Sequence, residues 1–476
     1  MQIAPNYFCR NLIATDRMTK VSSGSTRPAT DTASLVVALL GFFVITLDAL
    51  VVIVALPQIA GDVGGGITGL QWVVDGYTLM FAALLLFAGA LSDRIGARRT
   101  YCLGLIVFVL ASAACAFAPS LGSLIAGRLL QGVGAALITP SSLALLREAF
   151  PDSARRARAI GIWALGGAVA AAAGPLLGGS MSLVSWRLIF LVNIPVGLVM
   201  FVLLARIPTS ARRTVPFDWA GQISALTALA SLTYGVIEVG AVGIADPRIV
   251  GAAVAAVVGS VIFLCAQKYG RHPMVPLDLF SSRPVTIAVF TGFAFMVGYY
   301  GMVFLFSLYY QQERGLSVLQ TGLAFMPMTL LVSIMNVVAG RATARYGPRV
   351  PVTLGMAMMA LGLGLLWLWA SRAPVPILAL FMVPVGLGGA LAMPAVTAML
   401  FDSVPAEHAG TAGGVLNTSR QIGGALAIGI FGSLVAHQGL DTGVQTSLAV
   451  ATVLLVVSTV VALGVRKRQS ATAFAQ

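Results

Sequence analysis

The sequence predicts an all-α membrane protein with fourteen transmembrane helices, arranged as two six-helix pseudo-repeats with two more helices inserted between them. Three observations carry that prediction: the composition, the recurrence of apolar runs, and an internal repeat. Of the 476 residues, 58% are hydrophobic and 9% charged, with a mean hydropathy of +0.94; soluble domains carry about 25% charged residues. Apolar runs recur from residue 33 to residue 465, each near the ~20 residues that a helix needs to cross the hydrocarbon core. Inside lipid only helices and closed barrels satisfy their own backbone groups. Barrel strands are short and alternating, so the continuous runs select helices.

In order, the runs are 33–57, 72–92, 100–118, 122–146, 158–180, 186–206, 219–240, 248–268, 284–310, 319–341, 351–370, 374–401, 411–436 and 446–465. They divide the chain into a polar tail (1–32), a first six-helix bundle (33–206), the inserted pair with its linkers (207–283), a second six-helix bundle (284–465) and a short C-terminal tail (466–476). Residues 1–32 are rich in Ser and Thr and lack the apolar core of a secretory signal, so they read as a disordered tail.

Charge placement gives the orientation. With the N-terminus inside, the inner connections hold 23 of the 29 Lys and Arg, and the outer ones only Arg187, Arg248, Arg314 and Arg372. Positive charge accumulates on the cytoplasmic side, which predicts a multi-pass protein of the cytoplasmic membrane with both termini in the cytoplasm. The net charge of +13 is accounted for by this topology, so no nucleic-acid partner is expected.

The repeat joins "QGVGAALITPSSLALLREAFP" (Gln131 to Pro151) to "VGLGGALAMPAVTAMLFDSVP" (Val385 to Pro405) at an offset of 254, and "GALSDRIGARR" (Gly89 to Arg99) to "GRATARYGPRV" (Gly340 to Val350) at 251. Two matches at nearly one offset argue for duplication. Parallel halves with a substrate site at their interface are a recurrent transporter plan.

Several chemistries find no motif. None of the three lysines completes a GxxxxGK phosphate loop. His272, His408, His437 and the four cysteines show no metal-ligand spacing, and no nucleophile, base and acid set offers itself. No cofactor, metal site or enzymatic activity is expected.

Ionisable residues inside the helices are few and therefore informative, because a charge in the membrane is costly and faces a partner or a cavity. Asp48, Asp75 and Arg128 stand out. Asp48 lies nine residues from Pro57 and Arg128 seven from Leu121, roughly 13 Å and 10 Å along their helices, so they could share a layer. Burial raises a carboxyl's proton affinity and a neighbouring arginine lowers it. Asp48 and Asp75 are thus proton-site candidates, with a static pair to Arg128 the alternative for Asp48 and an interfacial, hydrated position the alternative for Asp75. Arg420 has no intramembrane acid in its own half; at the position equivalent to Arg128 that half has Met382. In "GALSDRIGARR", Asp93, Arg94 and Arg98 form a charge network for latching helices, with Gly89 and Gly96 permitting close approach. "GPLLGG" combines Gly174, Gly178 and Gly179 for tight packing with Pro175 as a kink. Trp72, Tyr77, Trp163, Tyr299, Asn336 and Arg420 are candidate substrate-cavity residues.

These motifs resemble the major facilitator superfamily, and within it the fourteen-helix drug:proton antiporters of the methylenomycin-resistance type. "LDALVVIVALP" is similar to that branch's helix 1 motif, "GALSDRIGARR" to the loop between helices 2 and 3, "RLLQGVGAAL" to the helix 4 motif, "GPLLGG" to the antiporter helix 5 motif, and "WRLIFLVNIP" to the start of helix 6. The resemblance implies proton coupling at Asp48, Asp75 and Arg128, and a cytoplasmic gate at Asp93 and Arg94. It implies a monomer in a lipid bilayer that exports small amphiphilic drugs by alternating access, or an endogenous metabolite or amino acid by the same mechanism. The second-half loop has Ala344 in place of the acid, which predicts a weaker latch there. The lack of deep acids in the later helices disfavours dicationic substrates.

Overall fold

The computed structural model describes residues 28–210, 212, 216–405 and 408–465. Among these the chain is helical throughout: α1 (Pro28–Val63), α2 (Gly66–Ile95), α3 (Ala97–Ala116), α4 (Leu121–Ala149), α5 (Ser153–Ser182), α6 (Leu188–Leu191), α7 (Asn193–Leu204), α8 (Trp219–Val242), α9 (Pro247–Tyr269), α10 (Arg283–Leu308), α11 (Val318–Tyr346), α12 (Arg349–Trp369), α13 (Val375–Asp402), α14 (Ala409–Gln438) and α15 (Leu440–Leu463). Twelve of the described helices are long and apolar enough to span a membrane; Leu188–Leu204 and Val318–Val332 are shorter apolar stretches.

Every expected run is helical, with two differences. Most helices overrun the apolar stretch because their ends continue into polar residues that hydropathy does not register. Thus α1 starts at Pro28, inside the stretch expected to be a tail, and ends at Val63. Residues 1–27 and the C-terminal stretch 466–476 lie outside the described residues. The sixth run is also broken at Val192 into α6 and α7.

The helices fall into a first block (α1–α7) and a second (α10–α15), and the packing follows one scheme in both. In the first, α4 packs on α2 and α3, α1 on α5, and α3 on α7; in the second, α13 packs on α11 and α12, α10 on α14, and α12 on α15. Close approaches recur as well. A Cβ on Gly104 would lie 2.9 Å from the Gly134 carbonyl, and one on Gly134 would lie 2.7 Å from Phe108 N. In the second block a Cβ on Gly355 would meet Ala392 N at 2.9 Å and one on Gly388 would meet Met359 N at 2.9 Å. Small residues let the backbones approach where lipid supplies no hydrophobic drive.

Between the blocks, α2 meets α14 and α5 meets α11. The inserted α8 lies over the α2–α14 seam, and α9 packs on α8. On the side away from the chain ends the blocks are sealed. Gln71 Nε2 donates to the Gly429 and Ile428 carbonyls at 2.7 and 3.1 Å, Ser307 Oγ to the Ile53 carbonyl at 2.8 Å, and Gln311 Nε2 to the Val54 carbonyl at 3.0 Å. There α1 is buried continuously over 47–56, and α10 with the π-helical turn that follows it over 294–310. Toward the chain ends the same helices are partly exposed, and of α14's residues 413–422 only Leu416 is buried. Toward the chain ends the blocks are therefore less tightly packed, which we read as a crevice between them, bounded where Gly414 of α14 faces Leu86 of α2.

Candidate functional site: a buried ion pair and a separate carboxyl

The centre of the first block is polar. Asp48 on α1 and Arg128 on α4 are both buried, and Arg128 Nη1 donates to Asp48 Oδ2. Arg128 also donates from Nη1 to Gln131 Oε1 at 2.8 Å and from Nε to the Val73 carbonyl at 2.9 Å. Asp48 Oδ1 accepts from Asn193 Nδ2 at 2.8 Å and from Gln131 Nε2 at 3.2 Å. Ser112 Oγ of α3 accepts from Gln131 Nε2 at 2.8 Å and from Asn193 Nδ2 at 3.2 Å, and donates to the Phe108 carbonyl at 2.7 Å.

Because every helix of the block except α5 contributes a group, this pair also organises the bundle. The Arg128 guanidinium carbon lies 4.5 Å from the Tyr77 ring centroid on α2 and 5.8 Å from that of Phe190 on α6. Both carboxylate oxygens of Asp48 are satisfied, while Arg128 Nη2 has no hydrogen-bond partner. A buried charge pair tolerates desolvation when hydrogen bonds complete it, and this one is nearly complete.

Asp75 is also fully buried but is not part of that cluster. Oδ1 accepts from Thr78 Oγ1 at 3.2 Å, one turn along its own helix, and Oδ2 has no partner. Its α2 face is the one that carries Gln71, one turn away, against α14. The hydrated interfacial alternative for Asp75 is excluded by its burial. The depth argument placed Asp48 and Arg128 in one layer, and the structure brings them into contact; Asp75 stands apart without a cation.

The other expected residues divide. Gly174 and Gly178 pack on α1, where their Cβ atoms would lie 3.0 Å from Leu50 Cβ and 2.9 Å from the Val51 carbonyl, whereas a Cβ on Gly179 would lie 2.9 Å from the Val318 carbonyl of α11. Pro175, inside α5, lies against Gly322. The motif thus packs α5 on both blocks. The charge network around Asp93 is not formed here. Asp93 and Arg94 are exposed, Arg94 lies 4.8 Å from the Phe217 ring centroid, and Arg98 Nε donates to the Leu204 carbonyl at the end of α7 at 3.1 Å. Gly89 has open space around it, as has Gly340, its repeat partner. On this side the blocks still meet where Gly414 faces Leu86 and Gly410 lies near Arg147, but neither contact involves Asp93. Gly96 instead makes the turn between α2 and α3 with φ 94°, a backbone region open to glycine.

Of the expected cavity residues, Tyr77 belongs to the ion-pair cluster and donates to the Ile45 carbonyl at 3.1 Å. Trp72 faces α8 instead of the crevice, donating to Glu238 at 2.8 Å. Trp163 donates to Ser142 Oγ at 3.1 Å and stacks on Phe42, 4.1 Å between centroids. Tyr299 stacks on Phe295 at 5.8 Å. Asn336 is half-buried on α11, and Arg420 on α14 lies 5.7 Å from the Phe295 ring centroid.

Sequence reasoning missed Ser112, Gln131, Asn193 and Gln71. Gln131 had a signal, since three residues from Arg128 it shares its helix face; Asn193 was the one amide in the run from Leu188 to Leu204.

The family profile described as Major Facilitator Superfamily matches residues 38–428. The chain belongs to the major facilitator superfamily. Among superfamily relatives, it is 37% identical over 413 residues to multidrug resistance protein Stp of Mycobacterium tuberculosis, covering 86% of this chain and 76% of that protein. It is 36% identical to the methylenomycin A resistance protein of Bacillus subtilis, covering 87% and 90%, and 35% identical to that of Streptomyces coelicolor, covering 89% of each. The fold is similar to the crystal structure of a D-xylose-proton symporter, with a TM-score of 0.67 at 14% identity over 91% of this chain and 98% of the other.

Proposed function

We propose that the protein is a proton-coupled antiporter that exports small amphiphilic drugs or antibiotics across the cytoplasmic membrane by alternating access. The relatives' names supply the substrate class, and they favour drugs over an endogenous metabolite or amino acid. The chain crosses the membrane fourteen times: α11, with 29 residues, and the broken α6–α7 pair join the other twelve spans. Its two pseudo-repeats rock against each other as monomers in the bilayer, with both termini cytoplasmic and the proton gradient as energy source in place of a cofactor. The crevice then faces the cytoplasm in this structure, and Asp93, Arg94 and Arg98 latch that side in the opposite state.

The observation that carries the reading is the contrast between the two acids. Asp48 already has a cation and two amides as partners, so it holds Arg128 and the bundle in place. Asp75 has one hydroxyl partner and no cation, and it lies at the seam that must open and close. It is therefore the group that takes up a proton outside and releases it inside. The membrane potential supplies about 2.3 kcal/mol per charge per 100 mV, roughly fortyfold in concentration per proton.

The test uses Asp75→Asn in proteoliposomes with an imposed pH gradient, with methylenomycin A and ethidium as substrates. The variant is expected to keep substrate exchange at equilibrium while gradient-driven accumulation falls at least about tenfold, the equivalent of about 1.4 kcal/mol. Undiminished gradient-driven accumulation would remove Asp75 from the coupling. Wild-type protein that moves neither compound would overturn the antiport reading itself.

A further inference from the structure

Besides Arg128, Arg420 is an arginine deep within the apolar runs, and among the described residues no carboxylate neutralises it. Arg420 sits on α14 within the partly exposed stretch that borders the crevice. Its stem rests against Gly292 of α10, where a Cβ would lie 3.1 Å from Arg420 Cγ, and its guanidinium lies over Phe295. Nη1 reaches Asn417 Oδ1 only at 3.5 Å, the outer limit of a hydrogen bond, and Nε has no partner. Neither the anion nor the backbone carbonyl that could hold such a group is present, although an unpaired charge inside the membrane is costly.

A second, independent orphan lies on α10, the helix against which the Arg420 stem rests. Thr291 Oγ1 is fully buried without a partner, on the face of α10 that carries Phe295 one turn later. A buried hydroxyl left unpaired is unfavourable. Arginine presents a fork of donors that matches a carboxylate with two parallel bonds. Phe295 and Tyr299, stacked along α10, add flat apolar surface next to that fork.

Resting on the antiport reading, we infer that Arg420, with Thr291 and Asn417, receives an acidic group, so that carboxylate-bearing amphiphiles are preferred substrates. The carboxylate takes the guanidinium fork, the threonine hydroxyl donates to one of its oxygens, and the hydrophobic body lies along the aromatic face. The two arginines thereby differ in use: Arg128 is paired with a protein acid, and Arg420 is left for the cargo's.

The test compares 7-diethylaminocoumarin-3-carboxylic acid with its methyl ester, titrated into the purified full chain. The acid is expected to bind about tenfold more tightly than the ester, as a hydrogen-bonded charge allows. Arg420→Gln should bring the two within about twofold of each other by weakening the acid alone, and Arg420→Lys should restore part of the preference. Equal binding of acid and ester to the wild type, binding of neither, or an equal loss of both in Arg420→Gln would overturn the inference. Should the glutamine variant fail to fold, the wild-type preference decides alone. In proteoliposomes, gradient-driven accumulation of both probes without a preference for the acid rejects the acid site and leaves antiport standing. A preference in binding without gradient-driven accumulation does the reverse.

Discussion

The two blocks share a packing scheme and differ in what fills its centre. In the first, Arg128 lies between α1, α2 and α4, held by Asp48, Gln131 and the Val73 carbonyl. In the second, the equivalent position is Met382, fully buried, with the Tyr310 hydroxyl 3.9 Å from its sulfur. The same backbone arrangement therefore accepts a hydrogen-bonded ion pair or an apolar core. The packing scheme by itself does not require the charges; in the first block the pair and its amide shell fill and hold the centre that Met382 fills in the second.

The comparison breaks most visibly when one member of the pair is removed. Asp48→Asn leaves a buried guanidinium without its anion, and the expected loss of stability is about 3 to 5 kcal/mol, read by denaturant titration of the purified protein. Replacing both, Asp48→Leu with Arg128→Met, should recover at least half of that loss, since well-packed apolar residues often match a buried pair. A double variant as unstable as the single one would show that the first block cannot adopt the second's solution. The converse exchange, Met382→Arg, puts a cation where no acid waits. An expected cost of about 3 kcal/mol should appear as poor membrane yield and a lowered unfolding midpoint. Normal yield would mean that the second block holds a counter-charge or a water path.

What the sequence made legible follows the same geometry. Hydropathy locates each helix along the chain, and the rise per residue gives depth, which is how Asp48 and Arg128 could be paired before any contact was known. Direction around the helix axis is harder, because lipid-facing and protein-facing positions are both apolar here. Trp72 was therefore expected in the cavity, whereas the inserted α8 draws it sideways to Glu238. Gln131 and Asn193 were overlooked since uncharged amides raise no cost alarm in a hydropathy reading, yet they complete the shell of Asp48. Asp93 was expected in a network that depends on conformation, and a sequence carries no statement of which conformation is populated.

The seal between the blocks offers the smallest effect and the most direct reading of that conformation. Gln71 donates two hydrogen bonds across the interface to α14, and its side chain fills the space that Gly432 leaves free. Gln71→Ala leaves the Ile428 and Gly429 carbonyls without that donor, while the Ser307 and Gln311 bonds to α1 persist. The expected weakening of the sealed state is about 1 to 2 kcal/mol, a shift of roughly five- to thirtyfold toward the state open on the other side. A cysteine at Val52, fully buried in the sealed stretch of α1, reports it in a background lacking the native cysteines. Labelling by a membrane-impermeant maleimide applied from the sealed side should rise by that factor in Gln71→Ala. Unchanged labelling would mean that the bonds of Ser307 and Gln311 to α1 hold the blocks together without Gln71.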